Sequence, residues 1–600
     1  MAISKNKVAL AALASGLLAA GLPALGQQQQ SPESILPPGF SEAPPPAPPP
    51  VAPVNAQPVP PKGAPAEPLN GSILGNGSDL LGNEISDQTD QTVDPAALAA
   101  AEMPVFARRS LAITGVIGPD HGGVGLLAFG RANGHFIETL MARLDAPIAS
   151  RWLSIGLRRT LASRLLTPAG VNGADFAAER AWLLVRMGEP VVGRAVAQSV
   201  DTANFTPKLY EATMQAALAS SDPGALCPVA TVARNVSSDR GWVLADAFCA
   251  GLSGNPDSGN QKIDAARRSS VASGIDLLLA QKVLGAGVQG RQAITIEWDG
   301  VDQLTAWRYG LANATSVAIP DGLFGTVNRR VGLWQAQAPW LIASARAPFG
   351  EYAAAQGVFS SAALVDLYSA VDAEDDQNTP AAGVARDLRI AFVDSDETAR
   401  LDAMRRLWDA PTTRAGRYAR LILTARAAAA IPVASGNADA DRLVASMLST
   451  GMEGAALRWS GVVGRGSDGW AMLTIANPAR PMLDRGDVLA YRGKDVSTRK
   501  SALFLAALAG LGRVNAGSIP GLAKTLDVNL SLDNAWTRAI DRAAAANEPG
   551  TVMLLAGVGM QTSDWRGVSP AGFYRTILAL HRVGLDETAR MMAIEALTRL

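Results

Sequence analysis

The chain has 600 residues, in which 53 lysines and arginines stand against 54 aspartates and glutamates for a formal net charge of −1. The cations are scattered singly, which argues against a nucleic-acid binder, because such proteins present a basic face. Two cysteines and three histidines are poor material for a zinc site, which usually draws four ligands at short spacing.

The first residues predict export. Lys5 and Lys7 precede an apolar run from Val8 to Leu22, and Ala24-Leu25-Gly26 is small at both positions a signal peptidase inspects. A signal peptide over 1–26 is expected, with the mature chain in the periplasm. The alternative is an uncleaved anchor in the inner membrane, since Val8–Gly26 is just long enough to span a bilayer. No cysteine follows the run, which excludes a lipid-anchored form, and no later segment is apolar over ~18 residues.

Residues 27–104 are expected to be a disordered Pro-rich linker. The stretch 32–68 alone holds 15 of the 37 prolines and cannot bury enough apolar surface to offset chain entropy. Such a segment is extended and semi-rigid, suited to a spacer or a mere leader. From position 105 the chain turns apolar and alanine-heavy, and what remains is too long for one conventional core.

A helical-repeat array is expected over 105–461. WLLVRMGEP ends at Pro190, QAALASSDP at Pro223 and FCAGLSGNP at Pro256, so the three prolines are evenly spaced along the chain. Each follows an apolar helical run and a Gly, Ser or Asn turn, and each suits the first turn of a new helix. The preceding Glu189, Asp222 and Asn255 are candidate caps. These units, and the DETAR frames beginning at Asp396 and Asp586, resemble tetratricopeptide-type repeats. The resemblance covers 175–290. The repeat's early Trp and its Leu-Gly pair are missing, so the general form, an α-solenoid of antiparallel helical hairpins, is the expected fold. The whole also resembles secreted helical-repeat proteins of Gram-negative bacteria, a likeness that implies no activity.

Further along, SSAALVDLYSAV, GRYARLILTARAAAA, KSALFLAALAGL and WTRAIDRAAAA space apolar residues at helical intervals. Ser360-Ser361 and Asp533 stand where caps belong. The acidic run Val371–Pro380 is expected to be a solvated connection. Arg291–Gly300 is the one strand-like run. An irregular connection is expected over 462–497 and C-terminal hairpins over 498–600.

The hairpin geometry predicts a disulfide. Cys227 and Cys249 flank the turn NVSSD and are equidistant from position 238, so they stand level on neighbouring antiparallel helices. Inward-facing side chains at that level can close a bridge, and export supplies an oxidising compartment. A metal site would want a histidine nearby, and the nearest along the chain is the distant His135. Two reduced core cysteines are the remaining alternative.

Few residues suggest catalysis. His121, His135 and His581 form no recognised motif, and loop or surface roles explain them as well as a metal pair of the first two. Arg492, Lys494, Arg499 and Lys500 are candidates for an anion site, though without phosphate-loop spacing. Glu297 and Glu453 are isolated carboxylates near apolar residues, of the kind a glycan-cleaving enzyme keeps protonated by burial. The twelve tryptophans suit packing wedges, or a groove for peptide or glycan. The expected function is a non-catalytic envelope scaffold or adaptor, binding a protein partner or cell-wall polymer through its repeat surface. No cofactor and no metal are expected. The alternative is a peptidoglycan- or polysaccharide-processing enzyme, lytic transglycosylase-like, with a buried carboxyl.

Overall fold

In the computed structural model, residues 104–145, 148–287, 294–479, 481–491 and 498–600 are described. The expected signal peptide and all but the last residue of the expected linker lie outside them. Within the described residues the only strands are two-residue pieces, β1 (Ile113–Thr114) and β2 (Leu165–Leu166), paired antiparallel. The rest is helix and connection, so the expected all-α solenoid of antiparallel hairpins is borne out.

In chain order the first helices are α1 (Gly134–Arg143), α2 (Arg151–Ala162), α3 (Gly173–Arg186), α4 (Pro190–Ala197) and α5 (Pro207–Ala219). There follow α6 (Cys227–Val236), α7 (Gly241–Leu252), α8 (Pro256–Arg268), α9 (Gly274–Ala286) and α10 (Ala306–Ala314). The middle of the chain supplies α11 (Arg330–Gln337), α12 (Ala343–Ala355), α13 (Ser361–Asp372), α14 (Pro380–Val393), α15 (Glu397–Asp409), α16 (Arg414–Ala429) and α17 (Ala440–Leu448). Then come α18 (Glu453–Leu457), α19 (Asp468–Ala476), α20 (Arg485–Ala490), α21 (Arg499–Gly510) and α22 (Ile519–Thr525). The chain closes with α23 (Ala535–Ala545), α24 (Pro549–Gly559), α25 (Pro570–Arg582) and α26 (Asp586–Arg599).

One turn chemistry joins the hairpins. Gly188, Ser221 and Gly254 all have positive φ, each placed just ahead of the residue before a periodic proline. The next amide in each reaches back to the helix just ended: Glu189 to Leu184, Asp222 to Ala217, Asn255 to Ala250. This satisfies a helix-end carbonyl that would otherwise lack a partner. Asn547 repeats the turn ahead of Pro549, a fourth copy that the even proline spacing does not reach. Of the three expected caps only Asn255 acts as one, accepting from Ser258 N. Asp222 instead pairs with Arg194, and Glu189 lies against Arg158, because a buried or half-buried arginine competes for the carboxylate. Glycine inside the second helix sets the close approach. A Cβ on Gly259 would sit 2.6 Å from Leu284 Cδ1 and 2.8 Å from the Ala247 carbonyl.

Three expectations need correction. Residues 294–300 of the strand-like run form no strand and have no paired neighbour, the other three lying outside the described residues. The segment 462–497 is not irregular throughout, since it contains α19 and α20. Ser467 and Asp484 cap them; Gly469 and Gly486 lie inside them, and Pro478 and Pro481 lie in the connection between them. The cap at 533 moves one residue on: Asn534 and Thr537 bond each other's backbones reciprocally, while Asp533 pairs with Arg538. Ser360 does cap α13.

The array does not run on as an open rod. One hydrophobic core contains residues from Ala128 to Ala212 together with residues from Ala391 to Leu597. Helix α2 packs against both α24 and α26, so the last helix lies beside one of the first. The contact is polar as well as apolar. Glu595, 1% exposed, accepts from Ser150 Oγ (2.7 Å), the Arg151 amide (2.8 Å) and the Trp152 amide (3.3 Å). A carboxylate from α26 thereby serves the free amides at the start of α2, where a negative charge is favoured. Arg599 bonds Glu595 at 2.7 Å and the Ala149 carbonyl at 2.9 Å, and Arg151 donates to the Ala354 carbonyl at 3.0 Å. The ion pair and the helix end satisfy one another, which is the condition for burying such charges.

Near the start of the described chain Arg180 does similar work without an acid. It is wholly buried and donates to the carbonyls of Thr114, Leu161 and Ser163, tying β1 and the end of α2 to α3. Burial pushes its guanidinium down to about 9.

Candidate functional site

The expected disulfide is present. Cys227 opens α6, Cys249 lies near the end of α7, and their Cα atoms are 5.3 Å apart. Beside it Asp246, with its side chain 4% exposed, ties three helices. It accepts from Thr231 (2.9 Å) and Arg234 (2.8 Å) on α6 and from Lys262 (2.9 Å) on α8. Burial alone would raise its carboxyl. The hydrogen bonds from Lys262 and Thr231 and the charges of Lys262 and Arg234 outweigh that and hold it below the ordinary value.

The residues suspected of chemistry are mostly engaged elsewhere. Glu297 is exposed on a non-helical segment, and Glu453 pairs with Arg590 at 3.2 Å. Neither is a carboxyl held in an apolar pocket. Lys500 is bound to Asp468 at 2.7 Å, and Arg499 donates to the carbonyls of Arg566 and Val568, so this half of the candidate anion site serves the fold. Arg492 and Lys494 lie outside the described residues. His121 is exposed in a short turn, His135 is 3.8 Å from Glu138 on α1, and His581 pairs with Asp586. Among the described residues no group of three or more His, Cys, Asp or Glu side chains is placed to hold a metal ion. The acidic run is a tied connection: Asp372 pairs with Arg389, and Glu374 accepts from the Ser344 amide.

The tryptophans separate cleanly. Trp242, Trp459 and Trp565 are fully buried wedges, and the others are buried or half-buried except Trp340, which is 63% exposed. Trp340 stands at a groove of about 580 Å³ formed where the turns of the repeat array meet the end of α11. Val191, exposed at 52%, and Leu252 line it with Pro190, Ala314 and Trp334. Its walls are anchored: Trp334 Nε1 donates to the Val185 carbonyl (3.0 Å), and the Gln337 amide to the Gly188 carbonyl (2.6 Å). The apolar run Ala338–Ile342 was a sequence signal for this site, because it sits between helices where polar residues are usual.

A second cavity lies where chain regions far apart in sequence meet. It encloses about 1060 Å³ beside the Glu595 cluster. Asp145 and Ile148 ahead of α2, Asn328 and Arg329 ahead of α11, Tyr352 and Gln356 at the end of α12 form part of its wall. The remainder comes from the start of α16, the connection after α24, and Arg599. No short motif could have announced it. The cavity and the groove share no residue.

Among the described residues no helix is long and apolar enough to cross a membrane. Comparison with known proteins matched no family model, no curated protein and no solved structure.

Proposed function

We propose that this chain is an exported, non-catalytic scaffold or adaptor of the cell envelope, built on tetratricopeptide-like hairpins and working in the periplasm. It binds a protein partner by an apolar segment laid in the groove beside Trp340. The observation that carries this reading is an exposed tryptophan on a rigidly bonded wall, in a chain whose other tryptophans are packed inward. Exposed aromatic surface in a fixed concavity is what partner recognition uses, and stacked hairpins present such concavities. The disulfide supports the oxidising compartment.

The test is capture from envelope extract with the full chain and with Trp340→Ala. The proposal predicts one stoichiometric protein recovered by the former and reduced at least tenfold with the latter. Equal recovery by both would reject the groove. Release of soluble fragments from purified cell-wall sacculi would reject the non-catalytic reading and restore the enzyme alternative.

A further inference from the structure

The larger cavity has a different chemistry from the groove, and its lining is rich in donors. Arg329, Arg414, Arg417, Arg566 and Arg599 face Asp145 and Asp564 as the only acids among its described lining residues. Five arginines against two aspartates leave an excess of three positive charges, in a chain whose total is −1. Asp564 is already occupied, accepting from the Arg566 amide at 2.8 Å. Arg599 is committed to Glu595, and Arg417 donates to the carbonyls of Pro411 and Thr412. Arg329, Arg414 and Arg566 make no ion pair with any described residue.

Unpaired arginines occur elsewhere, as at Arg240, Arg268 and Arg582, but singly and exposed; here three line one concavity. Three unmatched guanidiniums around one concavity repel one another unless an anion sits between them. Two further features favour negative charge there. Thr412, Thr413, Arg414 and Ala415 bring the start of the 16-residue α16 to the cavity wall, where the helix dipole favours negative charge, although Thr413 Oγ1 already accepts from the Gly416 amide. The Tyr352 phenol, pushed up to about 12 by burial, keeps its proton and remains a donor.

We propose that this cavity binds a multiply charged anion, bearing two or more carboxylate or phosphate groups, between Arg329, Arg414 and Arg566. Guanidinium forks on separate walls suit several anionic groups on one ligand rather than a single small ion, because each fork takes one group in two parallel hydrogen bonds. The proposal is independent of the Trp340 groove, so either can fail alone.

The experiment is titration calorimetry of the full chain at low ionic strength, with citrate as the tricarboxylate probe and tripolyphosphate as the phosphate probe. Saturable one-site binding of either is expected, weakening as salt screens the charges; the tighter probe identifies the source chemistry. The triple variant Arg329→Ala, Arg414→Ala, Arg566→Ala should bind at least tenfold more weakly with an unchanged melting temperature. Removing three exposed arginines elsewhere (Arg240→Ala, Arg268→Ala, Arg582→Ala) should leave affinity within twofold. Failure of both probes to bind the unaltered chain, or equal loss in the two triple variants, would overturn the site. Trp340→Ala should leave probe binding untouched.

Discussion

Two regions of this molecule solve the same packing problem by different means. From α3 to α8 the hairpins are closed locally: three turns carry a positive-φ residue and a proline at the next helical start, and one covalent staple joins α6 to α7. Where α2 meets α26, nothing local closes the contact. A carboxylate 445 positions downstream of Ser150 completes a helix start. The first arrangement is made of short-range signals spread over several turns. The second concentrates its stability in a few buried charged groups, each of which leaves others stranded if removed.

That contrast orders the expected effects. Glu595→Ala should be the most damaging change, costing about 3–5 kcal/mol because Arg151 and Arg599 lose their buried anion. Chemical denaturation with a circular-dichroism readout measures it. Breaking the staple with Cys227→Ala and Cys249→Ala should cost roughly 3 kcal/mol in the loop-entropy account, seen as a lower midpoint that reducing agent does not lower further. Asp246→Asn should cost about 1–3 kcal/mol at neutral pH, since its partners Arg234 and Lys262 can turn to water.

The pH course of that last effect follows from the direction of the shift. The folded carboxyl titrates below the ordinary 3.8, so its contribution is present above that value and is lost as pH falls through the lower folded value. The difference between the native chain and Asp246→Asn should therefore shrink in acid. A difference that persisted well below pH 3.8 would mean that the native carboxylate contributes shape rather than charge.

How much of this was legible in the sequence follows the same division. The pairing of Cys227 with Cys249 was readable because a hairpin makes sequence distance from the turn a measure of height. The periodic prolines were readable because proline fits the first turn of a helix and little else in one. Caps were read correctly where a small polar residue had no competitor, as at Ser360, and misread at Glu189 and Asp222, where an arginine from a neighbouring helix took the side chain. The closure onto α26 left no trace, because Glu595 in its own helix looks like any residue of an amphipathic pattern. The arginine cavity was equally hidden: Arg329, Arg414 and Arg566 come from connections and a helix start with no shared spacing. The basic cluster that was visible in sequence turned out, for Arg499 and Lys500, to be spent on internal bonds.

The central claim is that the last helix closes the stack by completing the start of α2. Hydrogen exchange on the native chain and on Glu595→Ala tests it directly. The account predicts lost protection not only in α26 but across Arg151–Ala162, a helix whose first residue stands 444 positions before Glu595. Protection of that helix equal in both proteins, with the change confined to α26, would contradict it.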